Sequence, residues 1–232
     1  MRIAVAVFGL ALLAAADPWA ARRDEMVRTQ IEARGVRDAK VLAAMRVVPR
    51  HLFVPPELAL RAHEDRPLPI GHEQTISQPY IVAAMTEALG LRGGERVFEV
   101  GTGSGYHAAV LARIARDVYT IEIVPELARV AAERLARLGV KNVHVRAGDG
   151  YRGWPEVAPF DAILLTAAPE EIPKPLVAQL ATGGRMVLPL GPEGRQDLYR
   201  MVKQPDGSLR RERLFGVRFV PMTGEAREGR RR

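Results

Sequence analysis

Two patterns of hydrophobic residues follow one another along the chain. In some segments the apolar residues alternate with polar ones or form short runs, and in others they recur at every third or fourth position. Apolar runs typical of buried strands lie at 97–100, 118–123, 143–147, 160–166 and 185–190. Helical periods separate them, and the clearest is the stripe of Leu127, Ala131 and Leu135, which Gly139 ends. Strands that alternate with helices predict an α/β fold with a doubly wound, mostly parallel sheet.

Both ends of the chain depart from this alternation. Residues 19–35 show helical spacing, and Asp38 is placed to cap a second helix over 39–46, so we expect an N-terminal helical cap. Near the other end, segments 198–202 and 209–219 flank a Pro-Asp-Gly turn, which predicts C-terminal antiparallel strands.

The segment 49–79 holds six prolines and shows no strong period, so it is predicted to be a long structured loop. Long loops inside compact domains are often functional. Ser77 is predicted to be the N-cap of the helix that follows, with Pro79 in its first turn and Gly90 closing it after Leu89.

The first sixteen residues have the pattern of a secretory signal peptide. Met1-Arg2 precedes an apolar run over 3–16, and the alanines at its end offer a cleavage site before Asp17. A mis-assigned start codon and an apolar helix packed on the domain are the alternatives. We therefore set 1–16 apart, expect one domain over 17–223, and treat 224–232 as a basic tail.

Composition and charge exclude several classes of protein. The chain has no cysteine, which excludes a disulfide framework, a thiolate metal site and a cysteine nucleophile. The net charge of +7 would suit nucleic acid or acidic partners. However, no basic block interleaved with aromatic residues occurs, so we expect no nucleic-acid partner. The five histidines lack the spacing of metal ligands, and we expect no metal.

A glycine-rich turn over 99–105 follows a predicted strand and opens a predicted helix. Its alternating glycines allow a sharp turn that brings a ligand against bare main chain, where open α/β sheets bind their ligands. Glu122, nineteen residues after Gly103, can accept hydrogen bonds from two ribose hydroxyls. Asp149, followed by Gly150, is placed to reach a nucleoside base on the same rim.

Two classes of cofactor fit this turn. Gly103, Gly105 and Ala108 give the weaker form of a dinucleotide fingerprint, but the acidic Glu99 would oppose a pyrophosphate. The ammonium and sulfonium of S-adenosylmethionine suit an acidic rim better. We therefore favour S-adenosylmethionine over a dinucleotide, and a glycine turn that binds nothing is the third interpretation.

Several segments resemble the signature of the protein-L-isoaspartate (D-aspartate) O-methyltransferase family. They are 48–55, 68–80, the glycine turn, 148–151, 160–161, 166–169 and 217–221. The resemblance covers about residues 22–223. The run Thr75-Ile76-Ser77-Gln78-Pro79 is specific to the family, whereas the glycine turn is common to many S-adenosylmethionine enzymes. The resemblance implies a Rossmann-like, S-adenosylmethionine-dependent methyltransferase fold.

The resemblance also implies roles for individual residues. Ser77 would lie in the active site, with Thr75 and Ile76 on the cofactor and substrate side. Thr223 matches the family's C-terminal contact and is expected to contact substrate. His72 is expected to contact substrate because it lies next to the active-site run, with an ordinary loop histidine as the alternative. The other expected cofactor-binding residues are Glu99, Gly101, Thr102, Gly103, Gly105, Glu122, Ile123, Asp149 and Gly150.

The activity implied by the resemblance is methylation of the α-carboxylate of L-isoaspartyl residues in damaged proteins and peptides, which starts their repair. A carboxylate is already ionised at neutral pH, so this transfer needs no strong general base. We expect catalysis to come from alignment of the reacting atoms in a water-poor pocket, with Ser77 positioning the carboxylate.

Two other functions stay open from the sequence. An RNA methyltransferase on the same fold would explain the positive charge, and an exported binding protein without enzymatic activity would explain the signal-like start. We expect a monomer in the cytoplasm, because S-adenosylmethionine is made and kept in the cytosol. Export to the periplasm is the alternative that residues 1–16 suggest.

Overall fold

The computed structural model describes residues 17–228, so the signal-like segment 1–16 and the end of the basic tail lie outside the described residues. The helices are α1 Ala20–Met26, α2 Ala39–Val47, α3 Pro79–Leu89, α4 Tyr106–Ala112, α5 Pro125–Arg137, α6 Lys174–Gln179 and α7 Glu225–Glu228. The strands are β1 Leu68–Gly71, β2 Gln74–Ile76, β3 Arg96–Val100, β4 Asp117–Glu122, β5 Val143–Ala147, β6 Phe160–Leu165, β7 Leu180–Leu190, β8 Gln196–Lys203 and β9 Leu209–Val217.

Seven of these strands form one sheet in the order β5-β4-β3-β6-β7-β8-β9. The pairs from β5 to β7 are parallel, and β8 and β9 extend the sheet in antiparallel fashion. The predicted doubly wound, mostly parallel sheet with C-terminal antiparallel strands is therefore confirmed. The chain leaves β3 toward β4 on one side and returns to β6 on the other, and such a reversal opens a crevice at the carboxyl ends of the strands.

The central strands are buried on both faces, which explains their continuous apolar runs. In β3, Val97 points into the core formed with α3, α4 and the N-terminal helices, whereas Phe98 points into the opposite core and stacks on Phe160 at 4.9 Å. Each face is covered by helices or by loop segments. The sheet thereby holds the carboxyl ends of its strands in fixed register.

The N-terminal helical cap forms as the pattern predicts, with a change of winding that the sequence did not indicate. After α1 the chain continues through a π-helical turn over Val27–Ile31 and a 3₁₀ turn, and it ends at Gly35 with φ +97°. Asp38 caps α2, because its Oδ1 accepts hydrogen bonds from the N–H groups of Lys40 (2.8 Å) and Val41 (3.3 Å).

The segment 49–79 differs from the prediction of a loop, because it contains the hairpin β1–β2. Its two-residue turn is His72-Glu73, with φ of 50° and 58°. Such turns usually carry Asn-Gly or Asp-Gly, since both residues take positive φ. Neither dipeptide is present between β1 and β2, so no local signal marks this hairpin.

The prediction that Ser77 caps α3 is wrong. The capping position is Gln78, and α3 has no side-chain cap at its start. Pro79 is the first helical residue, and it has no N–H that would need an acceptor. Ser77 lies one residue further back, in the extended link between β2 and α3, so its side chain is not committed to the helix.

No helix within residues 17–228 is long and apolar enough to cross a membrane.

Replacing Asp38 by alanine should lower the free energy of unfolding by about 1 kcal/mol, because two N–H groups of α2 lose their acceptor. Urea unfolding of Asp38→Ala checks this. The matched control is Asp24→Ala, since Asp24 is exposed and makes a 3.7 Å ion pair with Arg46, a kind of contact that contributes little. Equal losses in both variants would contradict the capping role.

Candidate functional site

A cavity of about 1370 Å³ lies at the carboxyl ends of β3, β4 and β6. The glycine turn, strand β2 and the start of α3 all contribute to its lining. The residues of the sequence-derived candidate set that line it are Thr75, Ile76, Ser77, Gly101, Thr102, Gly103, Glu122, Ile123, Asp149, Gly150 and Thr223. His72, Glu99 and Gly105 belong to the same set but do not line the cavity.

The glycine turn is fixed by main-chain contacts with the neighbouring strands. The Gly101 N–H donates to the carbonyl of Ile121 at 2.8 Å. Gly101 has φ +94°, and a Cβ there would collide with the hydroxyl of Thr166. That hydroxyl lies 3.0 Å and 2.7 Å from the carbonyl oxygens of Val100 and Gly101. The turn therefore requires glycine at its first position, and Thr166, the residue after β6, supports it.

Gly105 serves packing rather than the cavity. A Cβ at Gly105 would lie 3.4 Å from the side chains of Ala131 and Leu135, and φ is +86°. The glycine therefore lets α5 approach the turn closely. This explains why Gly105 matches the glycine pattern although it does not line the cavity.

Glu122 joins the end of β4 to the glycine turn. Its Oε2 accepts a hydrogen bond from the Gly103 N–H at 2.8 Å, and its Oε1 accepts one from the Val124 N–H at 3.0 Å. The residue is 5% exposed and lines the cavity. Because each carboxylate oxygen can accept more than one hydrogen bond, the group can still receive two hydroxyl donors from a ligand.

Asp149 holds the C-terminal segment over one end of the cavity. Its Oδ1 accepts from the Tyr151 N–H at 2.9 Å, and its Oδ2 accepts from the Glu225 N–H at 2.8 Å. Glu225 also forms an ion pair with Arg152, and Thr223 lines the cavity. Residues at the start of the predicted tail thus contact the wall of the site.

The hairpin β1–β2 packs against the glycine turn and adds strand β2 to the cavity wall. The Ile70 side chain lies against the glycine turn, 3.4 Å from where a Cβ of Gly103 would stand. Ser77 follows β2 and is half-buried, and its carbonyl accepts a hydrogen bond from Arg50 Nη2 at 2.7 Å. His72 is exposed at the tip of the hairpin turn, which explains why it does not line the cavity.

Glu99 lies beneath the glycine turn rather than at the cavity wall. Its side chain is fully buried, and its Oε2 accepts from the Thr120 hydroxyl at 2.6 Å. The Thr120 hydroxyl is in turn 2.7 Å from that of Thr102. Burial raises the pKa of Glu99 to about 8, so the group is mainly protonated at neutral pH. The negative charge that the sequence argument gave to Glu99 is therefore absent, and Glu122 and Asp149 form the acidic rim.

The sequence reasoning missed several other residues that line the cavity. Tyr80 and Phe215 lie there with ring centroids 6.0 Å apart, and the Arg34 guanidinium lies 3.5 Å from the centre of the Tyr80 ring. These residues come from separate elements, so no local pattern joins them. Within the described part of the chain, no group of three His, Cys, Asp or Glu side chains could hold a metal ion.

Comparison with known proteins gives a consistent set of matches. The model of the family "Protein-L-isoaspartate(D-aspartate) O-methyltransferase (PCMT)" matches residues 21–227. The protein-L-isoaspartate O-methyltransferase of Gloeobacter violaceus is 55% identical over 200 residues, covering 86% of this chain and 98% of the relative. That of Methanoculleus marisnigri is 56% identical over 210 residues, covering 90% and 95%.

Solved structures agree with the sequence relatives. A protein-L-isoaspartate O-methyltransferase superimposes with a TM-score of 0.79 at 31% identity, covering 88% of this chain and 67% of that one. A second, from Plasmodium falciparum and in complex with S-adenosyl-L-homocysteine, gives a TM-score of 0.74 at 26% identity, covering 87% and 98%.

The buried carboxyl of Glu99 should make stability depend on pH. Its pKa rises from 4.5 to about 8 on folding, so the folded state binds a proton that the unfolded state releases, and stability falls as pH rises through this window. Glu99→Gln removes the titrating group. The melting temperature of Glu99→Gln minus that of the unmodified protein should therefore increase as the pH is raised from about 5 to about 9. A constant difference across that range would contradict the buried, protonated state.

Proposed function

We propose, for a chain that belongs to the protein-L-isoaspartate(D-aspartate) O-methyltransferase family, that the cavity described above is its active site. The chain is an S-adenosylmethionine-dependent methyltransferase that acts on isoaspartyl residues of damaged proteins. One observation carries the assignment of the site: Ser77 and Glu122 line the same cavity.

The residues present fit S-adenosylmethionine. The exposed main chain of Gly101 and Gly103 allows close approach, and the Glu122 carboxylate has remaining acceptor capacity for ribose hydroxyls. Asp149 and Gly150 line the cavity where the adenine would lie. When bound, the cofactor supplies a methyl group made electrophilic by its sulfonium. The acidic rim of Glu122 and Asp149 favours a ligand with positive charge.

Ser77 positions the substrate. The substrate α-carboxylate is ionised at neutral pH and is itself the nucleophile, so the protein needs no general base. The Ser77 hydroxyl donates a hydrogen bond to this carboxylate and directs one of its oxygens toward the methyl group. The hairpin β1–β2 and the C-terminal segment over Asp149 keep water from the reacting atoms, and alignment lowers the barrier.

The contacts of the C-terminal segment support a catalytic unit slightly longer than 17–223. Residues 17–223 form this unit, and Gly224 and Glu225 belong to it as well, because the Glu225 N–H donates to Asp149. His72, at the exposed hairpin tip, contacts the flanking residues of a bound polypeptide, and Thr223 contacts the substrate inside the cavity.

The proposal also includes the oligomeric state and the location of the protein, which are a monomer in the cytoplasm. We propose that the chain acts as a monomer, because Ser77, Glu122 and Asp149, the residues assigned to substrate and cofactor, line one cavity within a single chain. The need for S-adenosylmethionine supports a cytoplasmic location, where that compound is made. The family match favours an isoaspartyl polypeptide over RNA as the substrate.

Ser77→Ala should lower kcat/KM for an L-isoaspartyl peptide by about 10- to 100-fold, because the hydroxyl no longer directs the carboxylate. The dissociation constant for S-adenosyl-L-homocysteine, measured by calorimetry, should stay within about twofold. Ser208→Ala is the matched control, since Ser208 is an exposed serine of the β8–β9 turn outside the cavity. Full activity in Ser77→Ala would refute the assignment.

Asp149→Asn should weaken the binding of S-adenosyl-L-homocysteine by about tenfold, because an amide replaces the anionic acceptor of the Tyr151 and Glu225 N–H groups. Asp206→Asn is the control. Asp206 likewise accepts a main-chain hydrogen bond, from Ser208 at 2.9 Å, but does not line the cavity. Equal affinity in the two variants would show that Asp149 does not order this end of the site.

A further inference from the structure

Arg50 is a fully buried cation without a carboxylate partner among the described residues. Its Nε donates a hydrogen bond to the carbonyl of Ala62 at 2.7 Å, and its Nη2 donates one to the carbonyl of Ser77 at 2.7 Å. The third nitrogen, Nη1, is buried and finds no acceptor in the described part of the protein. Burial lowers the pKa of Arg50 to about 10, so the group stays charged at neutral pH.

The guanidinium also packs on a residue of the cavity wall. Its Cζ lies 4.7 Å from the centre of the Tyr106 ring, and Tyr106 lines the cavity. The same ring meets Phe53 edge-on at 5.5 Å, which fixes its orientation. Arg50 therefore stands directly behind the wall that carries Ser77, held by an aromatic face and two carbonyl oxygens.

A buried charge without a counter-ion destabilises a fold unless its contacts offset the cost of desolvation. The contacts of Arg50 join three separate segments: the 3₁₀ turn Arg50–Phe53, the loop at Ala62 and the link at Ser77. Ser77 lies in that link without a capping role, and among the described residues no other side chain hydrogen-bonds to it. The other residue of the link, Gln78, donates from its side chain to the Asp65 carbonyl at 3.1 Å, so the guanidinium is the side-chain contact that holds Ser77 itself.

We propose that Arg50 is a positioning residue of the methyl transfer, which fixes the main chain of Ser77 against the Ala62 loop and so places the Ser77 hydroxyl at the cavity wall. The inference rests on the role proposed above for Ser77. Arginine suits this task because its planar fork makes two hydrogen bonds in a fixed geometry, whereas a lysine ammonium keeps the charge but not the fork.

A double-mutant cycle tests whether Arg50 acts through Ser77. Arg50→Lys alone should lower kcat/KM for an L-isoaspartyl peptide by about tenfold or more, since small displacements of a positioning group are costly. In the Ser77→Ala background the same substitution should lower it by less than about twofold, because the hydroxyl that Arg50 places is already absent. The affinity for S-adenosyl-L-homocysteine should be the same in all four proteins.

Arg23→Lys is the matched control for the loss of a buried arginine. Arg23 is also buried, donates from Nε to the Arg46 carbonyl at 2.6 Å and pairs with Asp17, and none of these residues lines the cavity. Arg23→Lys should change kcat/KM only slightly, and by the same factor in the unmodified protein and in the Ser77→Ala background. Equal losses from Arg50→Lys in both backgrounds, or a parallel loss of cofactor affinity, would overturn the proposal.

The outcome separates this proposal from the proposed function. An unmodified protein that leaves isoaspartyl peptides unmethylated would refute the function, whereas additive losses with an active parent would refute only the role of Arg50.

A second measurement on the unmodified protein decides the matter if Arg50→Lys does not fold. In nitrogen-15 spectra, the Arg50 Nε–H, identified by its contact with the Tyr106 ring, should exchange slowly with solvent because it is buried and hydrogen-bonded. Its resonance should shift when an L-isoaspartyl peptide is added with S-adenosyl-L-homocysteine, and not when the aspartyl peptide is added. No shift with the isoaspartyl peptide would overturn the proposal.

Discussion

The hydrogen bond from the Gly103 N–H to the Glu122 carboxylate connects the turn after β3 with the end of β4, and the shape of the cavity depends on it. The bond forms because β3 and β4 are parallel neighbours, which brings their carboxyl ends to the same edge of the sheet. Gly101 completes the arrangement, since its backbone conformation and the close approach of Thr166 exclude a side chain. The same carboxylate that shapes the turn then faces the ligand, so fold and cofactor site share one group.

The sheet does not provide the part of the wall that carries Ser77. This part consists of the hairpin β1–β2 and the link that follows it. Hydrogen bonds from Arg50 to the carbonyls of Ala62 and Ser77, and from Gln78 to the Asp65 carbonyl, hold the link in place. This division fits the chemistry of the family. The nucleophile is a carboxylate that is already ionised, so the protein must place it and exclude water but does not have to activate it. Neither a catalytic triad nor a metal is needed for that task.

Local sequence patterns predict the strands and the glycine turn, because these depend mainly on residues close together in the sequence. The strands were identified because β3, β4 and β6 are apolar on both faces, and the turn was identified because its glycines alternate after a strand. The hairpin was missed because its His72-Glu73 turn lacks the usual residues.

Other features depend on contacts between distant segments, which the sequence alone does not reveal. Ser77 was assigned as a cap because serine favours that position, although Pro79 makes such a cap unnecessary. Glu99 was given a charge that burial removes. Nothing local distinguishes Arg50 from the many surface arginines, since its role depends on residues 12 and 27 positions away.

Methylation of isoaspartyl carboxylates in this cavity can be measured with labelled S-adenosylmethionine and two peptides that differ only in an L-isoaspartyl or a normal aspartyl residue. We expect base-labile label on the isoaspartyl peptide alone. Equal labelling of both peptides, or no labelling of either while S-adenosyl-L-homocysteine still binds, would contradict it.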